Sequence, residues 1–320
     1  MLRHQHDPSA IGNPLFDAVC HGTGADVRAA IAAGADVHQR FQRRTTPLML
    51  AAMLNDDVSV AQALLEAGAR TRDRGAGKRR TALMLAAAYR SDARIVWTLV
   101  NAGADVHARD RNGRTALMHA AASNPSDATA RALLEAGAEL EARDKTGATA
   151  LMNTVRDDGP SPTAALLIAA GADVNTRDDG GRTPLLRAVE RRWEAAWLSP
   201  LLEAGADINA RDRRGWTPLL RAAAHGLALE VVHLLLEAGA DPNVRGPYGV
   251  TPLQEATGVR HDVRIIDALI AAGAEVDAAD DFGRTAVTRV RILLDIGLTA
   301  MHDDLVRRLE RPRHEPRGGR

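Results

Sequence analysis

The chain has 320 residues, 45% of them hydrophobic but only 3% aromatic, and its 41 basic and 41 acidic residues cancel to a formal charge of zero. That balance gives no whole-chain argument for a nucleic-acid or membrane-surface partner, and no apolar run approaches the ~18 residues that cross a bilayer. Cys20 is the only cysteine, so an intrachain disulfide is excluded and a reducing compartment is expected.

From the first residue onward, Met1 to Pro8 has no apolar signal core. The cytoplasm is therefore the expected location, with delivery into another cell without a cleaved signal as the alternative. Residues 1–9 read as an arm. A regular pattern follows. Thr46, Thr81, Thr115, Thr149, Thr183, Thr217, Thr251 and Thr285 each precede Pro or Ala and then Leu or Val, 35 residues apart once and 34 thereafter. Glycines of an Ala-Gly-Ala run keep step at Gly34, Gly68, Gly103, Gly137, Gly171, Gly205, Gly239 and Gly273. A fixed period of roughly 20–50 residues indicates stacked units, each unable to bury its apolar face alone.

The stretch from Asp212 to Asn243 shows one unit in full. Asp212 to Trp216 is turn chemistry, with Gly215 free to take positive φ. Thr217 caps a first helix and Pro218 suits its first position, where a missing N–H costs nothing. Leu219, Ala222 and Ala223 line a small-faced helix that Gly226 ends. Val231, Val232 and Leu234–236 predict a more apolar second helix, which Gly239 terminates before the next hairpin.

These residues, in this register, resemble the ankyrin repeat over about residues 10–311. The resemblance implies an all-α solenoid of stacked helix-turn-helix units with extended hairpin loops, about nine repeats, capped at about 10–43 and 283–311. Asn13-Pro14-Leu15 opens the first cap. In the last, helices are expected over Val287–Ile296 and Ala300–Glu310. Residues 312–320 read as a disordered basic tail. The histidine that follows Thr-Pro-Leu in the family, and ties neighbouring repeats by hydrogen bonds, is replaced by Met49, Met84, Met118, Met152, Leu186, Leu220 and Gln254. Dispersion contacts are expected in its place.

The units opening at Thr149 and Thr183 depart most. Asp157 to Pro162 replaces the ordinary inter-helix turn, and Pro200 falls inside a second helix, where a kink filled by Trp193 and Trp197, or a ligand notch, is expected.

No catalytic constellation, cofactor motif or metal-ligand spacing emerges. His4 and His6 read as surface residues, Cys20-His21 lacks an orienting third group, and His302-Asp303-Asp304 reads as a solvated cap. No enzyme activity, cofactor or metal is expected. Residues that follow the period belong to the fold, so function is expected among those that break it. In the family, partners lie along the concave face of hairpin tips and first helices. Carried over by position, this face contains Arg80, Tyr89, Arg111, Arg114, Arg182, Arg191, Arg213, Arg214, Trp216, His225, Tyr248, Phe282 and Arg284. Glu66, Glu135, Glu203 and Glu237 recur on the other side. The expected function is a non-enzymatic scaffold for protein–protein interaction, a monomer that grips an acidic or extended segment of a partner protein. The alternatives are binding of an anion or nucleic acid through the arginine ribbon, which interspersed aspartates disfavour, or service as an accessory subunit of an enzyme.

Overall fold

The computed structural model describes residues 12–41, 44–75, 77–156, 159–258, 262–295, 306–307 and 309–310. The expected arm, the tail and most of the last expected helix lie outside them. The chain divides into two compact units, Met1–Asp179 and Gly180–Arg320.

In the first unit, helices come in antiparallel pairs: α1 (Pro14–His21) with α2 (Gly24–Ala32), α3 (Pro47–Leu54) with α4 (Val58–Glu66), α5 (Ala82–Tyr89) with α6 (Ala93–Asn101), and α7 (Ala116–Ser123) with α8 (Ala128–Glu135). Next come α9 (Ala150–Asn153), a two-residue ribbon of β1 (Val155–Arg156) and β2 (Gly159–Pro160), and α10 (Thr163–Ala169). In the second unit, α11 (Pro184–Glu190) and α12 (Ala195–Glu203), α13 (Pro218–His225) and α14 (Leu229–Glu237), and α15 (Pro252–Ala256) and α16 (Val263–Ala271) precede α17 (Ala286–Asp295). Within each unit first helices pack on first helices and second on second.

The repeated sequence marks explain these elements. Each opening threonine from Thr46 to Thr251 accepts the N–H three residues on at 3.3–3.4 Å, so the first helices from α3 to α15 start at a side-chain oxygen cap. Asn13 does the same for α1. The Ala-Gly-Ala glycines take φ between 81° and 96°. The following N–H then returns to a carbonyl in the last turn, as Ala69 does to Leu64 at 2.9 Å, closing the helix in a Schellman motif. Met49, Met84, Met118 and Met152 are fully buried, as are Leu64, Leu99, Leu133, Leu167, Leu235 and Leu269 in the last turns of the second helices. Small alanines between them let the layers close up.

One expectation is modified. Gln254 does not leave its place to dispersion. Its Oε1 accepts from the Thr251 N–H, and its Nε2 donates to Ala278 O at 2.9 Å and Arg284 O at 2.6 Å in the next repeat. An amide thus performs the tie expected to be lost. Pro200 lies within α12, which runs on through it. Trp193 is buried there and meets Trp197 edge-to-face at 6.2 Å. In the unit opening at Thr149, α9 is only four residues long, and the β1–β2 ribbon takes over where the helix would continue.

Candidate protein-interaction face

The hairpins in front of the first helices are built by aspartates that face inward. Asp110 Oδ1 accepts the N–H groups of Asn112 and Arg114 at 2.8 and 3.0 Å, and Asp144, Asp212 and Asp280 repeat the arrangement. All four aspartates are buried, so the residues presented to solvent are the two that follow each of them. Neighbouring tips are joined by backbone rungs. In the first unit Arg111 N–H donates to Lys78 O at 2.8 Å, Lys145 to Asn112 and Asp179 to Thr146 at 2.9 Å; in the second, Arg213 donates to Gly180 O and Asp281 to Tyr248 O at 2.9 Å.

The tip at 246–250 departs from this plan. Gly246 stands where the aspartate would be, and a Cβ there would lie 2.8 Å from Leu220 Cδ1. Pro247 has no N–H, so the rung to Arg214 O cannot form. A Cβ on Gly215 would sit 3.9 Å from Pro247 N, against 3.0 Å at Gly113 and 2.8 Å at Gly147 and Gly181 for the equivalent approaches, so this tip stands back from its neighbour. Tyr248 adopts φ 57° and ψ 28°, a left-handed conformation that costs an L-residue roughly 1–2 kcal/mol. Its side chain gains little burial in return: Tyr248 is 69% exposed and Phe282, on the next tip, 64%. Their rings lie 6.0 Å apart at 42°. The Arg284 guanidinium lies over the Phe282 ring, 4.6 Å from its centre, and is held by Asp280 at 2.8 Å.

The remaining predicted residues differ in exposure. In the second unit Arg191, Arg213 and Arg214 are exposed. Trp216 is half-buried with the Arg221 guanidinium 4.9 Å from its ring centre. Arg221 bridges Asp212 at 2.8 Å and Glu190 at 3.0 Å, and Arg182 pairs with Glu190 at 3.3 Å. Burial, then the charges of Arg221 and Arg192, lower the pKa of His225, which is therefore neutral at pH 7. In the first unit Tyr89 and Arg111 are exposed, while Arg114 pairs with Asp144 at 3.4 Å. Arg80 is half-buried, 3.9 Å from Asp110. His119 Nε2 lies 3.1 Å from the same carboxylate, both side chains buried. Burial first, and Arg80 next, push the His119 pKa down to about 4 against the pull of Asp110. Burial, assisted by Asp17, raises the Cys20 thiol to about 11, which leaves it protonated and a poor nucleophile. Among the described residues no three His, Cys, Asp or Glu side chains gather as metal ligands.

A row of arginines just before the hairpins escaped the sequence reading. Arg74 donates to Arg109 O, Arg109 to Arg143 O and Arg143 to Arg177 O at 2.8 Å; in the second unit Arg211 reaches Arg245 O at 2.6 Å and Arg245 reaches Ala279 O at 2.7 Å. The signal was their recurrence in step with the period. It distinguishes these structural arginines from those at the tips.

Comparison with known proteins agrees with this architecture. A family model described as ankyrin repeats, in three copies, matches residues 15–110, 83–178 and 151–246. The chain belongs to the ankyrin repeat family. Among solved structures, it is similar to the ankyrin repeat domain of Bcl-3, a member of the IkappaB protein family, with 34% identity and a TM-score of 0.60 over 70% of this chain and 98% of that one. Comparison with curated protein sequences gives no match. Most positions where this chain's ankyrin repeats recur are occupied by caps, rungs and core residues. The exposed Tyr248–Phe282 pair lies off that pattern.

Proposed function

We propose that this ankyrin repeat chain is a non-enzymatic interaction module that captures a segment of a partner protein on the tips and first helices of residues 180–320. Ankyrin repeats generally serve protein–protein interaction, and the structural neighbour is the ankyrin repeat domain of a member of the IkappaB protein family. The observation that carries the reading is Tyr248: a strained, exposed aromatic beside exposed Phe282. Strain kept at a solvent-facing side chain is the kind of outlier that accompanies function, and aromatics and arginines are the usual anchors of interfaces. Arg213 and Arg214 on the adjacent tip favour an extended segment with acidic residues at one end. The reading treats the chain as a cytoplasmic monomer without cofactor; no helix among the described residues is long and apolar enough to cross a membrane.

Affinity purification of the tagged full chain from its native source tests this. The wild type is expected to recover a protein in near-equal amount. The Tyr248→Ala/Phe282→Ala variant should recover at least tenfold less, in line with anchors worth ~2 kcal/mol or more at an interface. Glu66→Gln/Glu135→Gln/Glu203→Gln, altered on the second helices, should recover as much as the wild type. Equal recovery by the aromatic variant, or recovery of no protein at all, contradicts the reading.

A further inference from the structure

The first unit carries a charge pattern that the sequence conceals. Read linearly, its hairpins mix acids and bases: Asp110 precedes Arg111 and Asp144 precedes Lys145. In the fold the two aspartates are buried inside their own turns, each accepting backbone N–H groups. The cations beside them remain outside. Arg44, Lys78, Arg79, Arg111 and Lys145 are all exposed, and none of these five side chains makes a hydrogen bond or ion pair with a described residue. The next tip presents exposed Asp179, which ends the run. A chain of zero net charge therefore shows four consecutive hairpin tips of one sign. The acids that balance them, such as Glu66 and Glu135, are exposed at the ends of the second helices.

The spacing of these charges is fixed. Backbone rungs tie the tip of Lys78 to that of Arg111 and the tip of Asn112 to that of Lys145, at 2.8 and 2.9 Å, and the arginine ladder clamps the same hairpins from below. Hairpin backbones held in place before binding lose less freedom when a partner arrives. We infer that these tips form a docking strip for an extended acidic segment of a partner protein. Packed helices stand about 8–10 Å apart, so four tips span about 24–30 Å. An extended chain at ~3.3 Å per residue covers that distance in about seven to nine residues, with one carboxylate near every third position meeting a tip. A single-stranded nucleic acid also carries regular negative charge, but such strands are held by aromatic platforms under their bases as well as by cations. These four tips offer none, and Asp179 repels a phosphate chain continuing along the row. The inference shares with the preceding section only the premise that the chain binds protein. It rests on residues 12–179 and not on Tyr248 or Phe282, so the two fail separately.

The test uses the full chain and a fluorescent peptide of about twelve residues with Glu at every third position between Gly and Ser, followed by anisotropy. The control peptide has Gln for Glu, and the competing probe is an oligothymidylate of the same length. The Glu peptide is expected to bind at about 50 mM salt and to weaken at least tenfold by about 300 mM, as screening shortens the reach of exposed charges. The Gln peptide should not bind. Lys78→Glu/Arg79→Glu/Arg111→Glu/Lys145→Glu should abolish binding. The milder K78Q/R79Q/R111Q/K145Q variant should weaken it at least tenfold and serves as the test if the reversed variant fails to fold by circular dichroism. Tyr248→Ala/Phe282→Ala should bind the Glu peptide as the wild type does. Absence of Glu-peptide binding at low salt, undiminished binding by the Gln variant, or equal or tighter binding of the oligothymidylate would each overturn the inference.

Discussion

Among individual residues, the informative ones are those whose environment disagrees with their type. Tyr248 is a bulky residue at φ 57°. Asn tolerates that region better, so Tyr248→Asn should raise stability by roughly 0.5–1 kcal/mol while weakening partner recovery. Urea denaturation measures the first effect, and a destabilised variant would mean that the tyrosine ring packs where it looks exposed. His119 makes the opposite case. It is held neutral in the fold, with a pKa of about 4 against an ordinary value of 6.5, by burial and by Arg80. The unfolded chain therefore binds more protons than the folded one between those values. Its contribution is fully present above pH 6.5 and is lost as pH falls through 6.5 towards 4. His119→Gln should flatten the stability profile in that window relative to the wild type; parallel profiles would contradict this account of the histidine. The sequence placed Tyr248 on the expected partner-binding face, but not its left-handed backbone, which no local motif announces. It did not reveal His119, because its depressed pKa depends on burial and on Arg80 from the preceding hairpin, which together outweigh Asp110.

At the level of elements, caps and turns were the most legible features. Thr-Pro-Leu and Ala-Gly-Ala each encode a local hydrogen-bond pattern, and local patterns survive transfer from sequence to structure. The shortening of α9 to Ala150–Asn153 was only half legible. Gly159 and Pro160 announced an irregular turn, but the pairing of β1 with β2 had no periodic mark. The arginine ladder was not read from the sequence, because a guanidinium that reaches the next repeat's carbonyl looks there like any surface arginine. Its cost of removal should be modest, about 0.5–1.5 kcal/mol for one hydrogen bond, and local. Arg143→Ala is expected to speed amide exchange severalfold in the hairpin at 177–179, whose carbonyl Arg177 O it releases, with little change around Arg74. Uniform exchange rates in wild type and variant would show that the backbone rungs alone hold that hairpin.

Across the whole molecule, equal numbers of acids and bases hide a division of labour. The first four tips of the first unit are cationic, two of them because Asp110 and Asp144 are spent on turn geometry, and the tips of the second run from Arg213 and Arg214 through Pro247 and Tyr248 to Asp281 and Phe282. Composition alone averages these surfaces to zero, so partner chemistry was the least legible property of the sequence. Architecture was the most legible, because each 34-residue unit repeats the same solution for burying its leucines. The central claim is that the Tyr248–Phe282 face receives a protein. Hydrogen exchange of the full chain, alone and in complex with the protein recovered by it, tests that claim most directly. The account predicts slowed exchange in the tips and first helices of residues 213–226, 246–258 and 280–290. Slowing confined to the second helices α12, α14 and α16, with those tips unchanged, would contradict it.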